Sequence, residues 1–256
     1  NKDDVDLVQL AFPKSITDLD FSYGRFSPGF ARLIKNKLKS NNIHVGVLGC
    51  YINVSNSNEE ILNEDTNKFI EYLKYAKYIG ADMVGTETGS LKEDFTFNTD
   101  NHSEGAYQKV LSTIKMLVSN GEKLGVSVGI EAVSHYTIND VEKTLRLVND
   151  IDSTNLAIIF DPVNILTFEN HNSQKEIMES AFKMYGNKIE AIHLKDFKFV
   201  DNNKLQTKIG EGLLDYQYLF ELIKKYKPYI NVFIEESNKE DFPKLRKRLI
   251  EEYNKI

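Results

Sequence analysis

The sequence predicts a single α/β domain of the (β/α)₈ TIM-barrel type, on three observations. Short apolar runs alternate with helical patterns along the chain, so the sheet they build should be parallel. Four of the runs end in or carry an acid or imidazole: VSVGIEAV carries Glu131, LAIIFDPVN ends its run in Asp161, IEAIHLKDF presents His193 and INVFIEES reaches Glu235. The intervals between them are 30, 32 and 42 residues, close to the about 30 residues that a barrel of roughly 250 allots to each βα unit. A carboxylate at the C-terminal tip of a parallel strand sits where α/β proteins place their chemistry. The four residues are therefore expected to converge on one face.

Bulk properties narrow the class. The 256 residues are 41% hydrophobic and 27% charged, ordinary for a globular chain. Barrels of this size are routinely one domain, here taken as 1–256. A formal net charge of −6 gives no general attraction to polyanions, so no nucleic-acid partner is expected. One cysteine, Cys50, rules out an intrachain disulfide and fits a reducing compartment. At the end of an apolar run it reads as a small buried side chain rather than a nucleophile. No apolar segment approaches the roughly 18 residues of a membrane span, and no signal peptide is visible. The expectation is a cytoplasmic protein without membrane contact.

In chain order, Asp6–Phe12 reads as a strand stopped by Pro13, followed by a polar loop through Gly24. Ser27-Pro28 has the form of a cap with Pro at the first helical position and opens a helix to about Lys39. Ile43–Gly49 is the next strand. Asn58 starts a long helix whose Phe69, Leu73, Ala76 and Ile79 fall at helical spacing, with Gly80 placed to end it. Ala81–Gly85 is a strand tipped by Glu87. Ser103 caps a helix carrying Val110, Ile114, Leu117 and Leu124, closed by Gly125. After the Glu131 strand come a helix from about Asn139 to Val148, the Asp161 strand, a helix around Lys175–Tyr185 and the His193 strand. LKDFKFVDNNKLQTKIGEG is then a long polar excursion. Asp215 opens a helix to about Lys225, the Glu235 strand follows, and Phe242-Pro243 begins the last helix. About seven strands result, one fewer than a closed barrel. The economical account is that a first strand and helix are absent from this sequence or lie upstream of it.

Three carboxylates and one imidazole suit a divalent metal ion: Mn²⁺, Mg²⁺ or Co²⁺, with Zn²⁺ also compatible. Each residue alone has a plainer reading. Asp161 before Pro162 could cap a helix, and His193 could be a hydrogen-bonded core histidine. The combination at successive strand tips is the signal.

IEAV, DPVN, HLKD and FIEES, in that order, resemble the xylose isomerase-like barrel superfamily, which holds sugar-phosphate isomerases and epimerases, ketose 3-epimerases, inosose dehydratases and apurinic-site endonucleases. GCYIN at Gly49–Asn53, GTETG at Gly85–Gly89 and KIGEG at Lys208–Gly212 extend the resemblance over nearly the whole chain. It implies one divalent metal held by Glu131, Asp161, His193 and Glu235. It further implies that Glu131 and Glu235 form the acid/base pair. Such chemistry passes through an enediolate, and inversion at carbon needs a base on each face.

The substrate implied is a small sugar or sugar phosphate. Asn164 stands where many relatives carry a histidine (DxxH) and can hydrogen-bond a sugar hydroxyl. Leu48, Glu87 and Leu205-Gln206-Thr207 occupy positions where the endonucleases carry further metal-binding histidines, so nuclease activity is not expected. Glu87, His135, Lys195, Glu211 and Asn53 are further substrate-binding candidates. Glu87 could equally shape its turn, His135 cap the next helix, Lys195 pair with Asp196, and Glu211 orient His193. An inosose-type dehydratase on the same metal site and a non-catalytic sugar- or metal-binding barrel are the alternatives. The resemblance implies a dimer or tetramer, but no residue pattern identifies an interface.

Overall fold

The computed structural model describes residues 5–235 and 237–256. They fall into two compact units, one ending at Ile159 and the other running from Phe160 to Ile256. The first holds parallel strands β1 (Leu7–Leu10), β2 (His44–Gly49), β3 (Met83–Glu87), β4 (Ser127–Glu131) and all but the last residue of β5 (Leu156–Phe160), side by side in chain order. Strands β2 to β5 are almost entirely buried, as a parallel sheet covered by crossover helices requires. The glycines that interrupt these runs make room for neighbours. A Cβ on Gly85 would stand 2.7 Å from Ile159 Cδ1 and 2.8 Å from Val47 Cγ1.

The helices begin and end where the cap chemistry directs. The Ser27 hydroxyl accepts from Phe30 N at the start of a helix over Pro28–Lys39, and Asn58 caps Glu59–Ile79 in the same way. Ser103 caps Glu104–Leu124. Gly80 and Gly125 end the two long helices at φ of 82° and 68°, the left-handed region that glycine enters without steric cost. Phe69, Leu73, Ala76, Ile114 and Leu117 are buried, confirming the helical spacing read from the sequence.

Two expectations need correction in this unit. The first strand stops at Leu10, and Phe12–Ser15 forms a helical turn with Pro13 inside it. Burial of Phe12 among Phe21, Phe26, Phe30 and Tyr72, with ring centroids 5.3 to 5.8 Å away, favours the turn, and Pro near a helix start gives up no needed donor. The helix expected from Asn139 runs Val141–Ile151 because Asp140 is its cap, accepting from Lys143 N at 2.7 Å. In chain order these helices are α1 (Phe12–Ser15), α2 (Pro28–Lys39), α3 (Glu59–Ile79), α4 (Glu104–Leu124) and α5 (Val141–Ile151).

The second unit contains α6 (Pro162–Ile165), α7 (Gln174–Tyr185), β6 (Ile189–Leu194), β7 (Asp196–Val200), β8 (Asn203–Thr207), α8 (Tyr216–Tyr226), β9 (Asn231–Ile234) and α9 (Phe242–Lys255). β6 and β9 pair in parallel, which brings the described parallel strands to seven, the number counted from the sequence. The supposed polar excursion contains an antiparallel hairpin, β7 with β8. Its two turn residues, Asp201 and Asn202, lie at φ of 50° and 63°, as a tight hairpin turn demands. Among the described residues no helix is long and apolar enough to cross a membrane.

Candidate metal and active site

In the first unit, Glu131 ends β4 and is 2% exposed. Its register partner on β3 is Glu87, so the two carboxylates leave the same face of adjacent strand tips. Burial first, and the Glu87 charge second, push the Tyr136 phenol up to about 12.

The loops beyond β2, β3 and β4 are laced together by neutral polar side chains. Asn53, buried, accepts from Ser90 N at 3.0 Å and Ser55 N at 3.3 Å and donates to Lys92 O at 2.8 Å. Its amide thus serves the loop backbone, where the sequence suggested substrate. The Gly89 Cα packs directly on it, since a Cβ there would meet Asn53 Oδ1 at 2.2 Å. Ser55 donates to Thr88 O at 2.6 Å, and the Thr88 hydroxyl accepts from Ile138 N at 3.3 Å. Asn101 accepts from Leu91 N at 2.9 Å and donates to His135 O at 3.0 Å. The His135 ring itself is exposed and packs edge-on against Tyr136 at 4.3 Å.

The second unit carries charge. Asp161 closes β5 and does two jobs: Oδ1 accepts from Asn164 N at 3.1 Å, capping α6, while Oδ2 lies 2.7 Å from the Lys195 ammonium. The capping reading of Asp161 is thus correct, yet its second oxygen faces a cation. Lys195, 5% exposed, also contacts Glu235 Oε2 at 3.2 Å. His193 is fully buried on β6, its Nδ1 3.3 Å from Glu235 Oε1 and its ring edge-on to Phe233. Glu235 follows β9 directly, and its backbone N donates to Leu194 O at 2.9 Å. Two carboxylates and an imidazole therefore gather around an ammonium, a donor set that fits a divalent cation. Glu131, Asp161 and His193 each offer a buried ligand atom. Asn164 is half-buried on α6.

Asp196 does not serve Lys195 as a partner in the way the sequence suggested. Its carboxylate accepts from Phe197 N, Leu214 N, Gly210 N and Gly212 N at 2.8 to 3.0 Å and so shapes the KIGEG turn. A Cβ on Gly212 would fall 2.2 Å from Asp196 Oδ1, which requires glycine there. Glu211 is exposed on this turn, its N–H donating to Lys208 O. A residue the sequence left unmarked is Lys204 on β8, whose Nζ donates to Val163 O and Leu166 O, both at 2.7 Å. Only a hairpin reading of VDNNK could have found it. Cys50 is buried, and burial raises its thiol, as expected of an inert cysteine.

A family model described as xylose isomerase-like TIM barrel matches residues 3–253. Among curated proteins, 3-oxo-isoapionate decarboxylase from Pectobacterium atrosepticum is 24% identical over 176 residues, covering 66% of this chain and 57% of that protein's length. A solved D-tagatose 3-epimerase-like protein superposes with a TM-score of 0.73 at 22% identity, over 89% of this chain and 84% of its own. The IOLI protein, solved with a binding zinc atom, superposes at 0.70 and 17% identity, over 98% and 86%.

Proposed function

The chain belongs to the xylose isomerase-like TIM-barrel family, and on that premise we propose that it is a divalent-metal-dependent isomerase or epimerase of a sugar or sugar phosphate, acting as one domain. The observation that supports this best is Lys195: a buried ammonium in contact with both Asp161 and Glu235, beside buried His193. Gathering carboxylates around a buried cation is costly unless the site exists to hold positive charge. In this reading Asp161, His193, Glu235 and Glu131 hold one ion, and the donor set admits Mn²⁺, Zn²⁺, Co²⁺ or Mg²⁺. When bound, the ion supplies Lewis-acid polarisation of the substrate carbonyl.

The rest falls to the chain's own groups. Glu131, at its buried strand tip, takes the proton α to the carbonyl. Glu235, the more accessible of the two, returns one from the opposite face. Two carboxylates fixed on separate strands make inversion possible, since a single base would return the proton where it came from. Lys195 turns its ammonium toward the developing oxyanion and neutralises its charge. Asn164 and Glu87 offer hydrogen bonds to hydroxyls, while the exposed His135 and Glu211 belong to the rim. The lone buried cysteine accords with a cytoplasmic setting, and the partner is a small molecule.

Elemental analysis tests the reading on protein purified without added metal. Wild type should carry about one divalent ion per chain and Asp161→Asn markedly less. In D₂O, wild type should exchange a carbon-bound proton of a ketose in a panel of free and phosphorylated sugars. No bound metal, and no gain in melting temperature with Mn²⁺ or Co²⁺, would leave a binding barrel without catalysis. Lyase chemistry is the second reading: a buried ammonium also suits a carboxylate-bearing substrate, and one relative is a decarboxylase. Product analysis separates the two.

A further inference from the structure

The hairpin that follows His193 reaches the turn that follows Asp161, and it touches that turn at two points. The first is Lys204. Its stem is exposed on β8, but its ammonium donates to Val163 O and Leu166 O, both at 2.7 Å. Val163 lies within α6 and Leu166 is its C-cap; the last carbonyls of a helix lack intrahelical donors, and a cation is electrostatically favoured beside them. The second is Phe199 on β7, which packs edge-on to Phe168 at 5.3 Å and against His171 at 4.9 Å.

Helix α6 is one turn long, and a helix of that length has little stability of its own. It is held at its start by the Asp161 carboxylate accepting from Asn164 N, and at its end by the Lys204 ammonium. The arrangement commits Asp161 Oδ1 to the cap, so the position of the turn decides where Oδ2 points. Sheltering the ammonium has a cost that shows in its acidity: desolvation lowers Lys204 to about 8, with the Asp161 charge opposing the shift. An exposed lysine on a hairpin edge would bear no such cost. The base of the hairpin is pinned independently, by Asp196 and by Phe197, which is fully buried. The strap therefore has a fixed root and a gripping end.

We propose that Lys204 is a positioning residue: by clamping the carbonyl end of the Pro162–Ile165 turn, it sets the orientation in which Asp161 and Asn164 are presented to ligand. The inference rests on the metal-site reading of Asp161.

Three variants test it in the full chain. Lys204→Met keeps the stem and removes the donor, Lys204→Arg restores a cationic donor, and Lys198→Met alters the exposed part of the same hairpin. In K204M the backbone amides of 163–167 should exchange with solvent faster than in wild type. Its Mn²⁺ dissociation constant should weaken roughly tenfold, as loss of groups that orient metal ligands generally does. K204R should recover both, and K198M should change neither. Unchanged exchange in K204M, or failure of arginine to restore it, overturns the proposal. Faster exchange with wild-type Mn²⁺ affinity also overturns it, leaving Lys204 a structural tie. If wild type itself binds no Mn²⁺, the metal reading fails separately. The exchange comparison and its arginine rescue need no metal and still decide the clamp.

Discussion

The two compact units solve the same problem, fixing loops beyond strand tips, with opposite chemistry. Beyond β2 to β4 the buried polar side chains of the loops are neutral: Asn53, Ser55, Thr88, Ser90, Asn101 and Thr137, bonded largely to backbone, with Glu131 at the tip of β4 the exception on the strands. In the second unit the buried polar side chains are ionisable: Asp161, His193, Lys195 and Asp196. A neutral hydrogen bond returns about 1 kcal/mol and leaves little behind if both partners go. Buried charges cost several kcal/mol each to desolvate, and replacing a buried ion pair with apolar groups is often neutral or stabilising. A scaffold that needed only stability would use the first chemistry throughout. The charged group in the second unit is thus better explained by function than by folding.

Substitutions can break this comparison. The largest effect should come from Lys195→Met, which strands Asp161 and Glu235. A loss of about 3–5 kcal/mol in urea unfolding is expected, partly recovered by added Mn²⁺. A loss below about 1 kcal/mol would mean that the ammonium is not needed to balance the site.

Asn101→Ala should rank second. It leaves Leu91 N and His135 O without their partner, for a loss of about 1–3 kcal/mol, with Mn²⁺ affinity unchanged. A change in metal binding there would show that the neutral loops are not merely scaffolding.

The smallest effect belongs to the surface pair Glu104–Arg146, a useful control because it is charged but exposed. Hydrogen bonds from Arg146, then Gln108, hold the Glu104 carboxyl down to about 2 from 4.5. A carboxylate lowered on folding adds stability that is complete above about 4.5 and fades as pH falls toward 2. The melting temperatures of wild type and Glu104→Gln should therefore differ slightly at pH 6 and converge by pH 2. A gap that persists at pH 2 would assign the effect to packing.

Much of this is legible in the sequence alone. Caps at Ser27, Asn58, Ser103 and Asp215, the glycine ends at Gly80 and Gly125, and the burial of the long helices followed from local rules, because each depends on residues within one or two turns. The hairpin was not legible, because β8 (NKLQT) is almost wholly polar and the turn lacks glycine. Nor was the helical turn at Phe12, which exists because four aromatic rings from distant segments close around one side chain.

The sequence by itself determined the alternation of the seven parallel strands with the longer helices and set Glu131, Asp161, His193 and Glu235 at or next to strand tips, since period and punctuation are local properties of the chain. Only the tertiary structure decided the partners: that Lys195 joins Asp161 and Glu235, that Asp196 serves the KIGEG turn, that Asn53 holds a loop, and that Lys204 reaches α6. Those pairings link residues 14 to 41 positions apart in the hydrogen bonds of Asp196, Lys195 and Lys204. A side chain with several acceptors within reach is assigned by how the backbone packs, and no pattern along the chain encodes that choice.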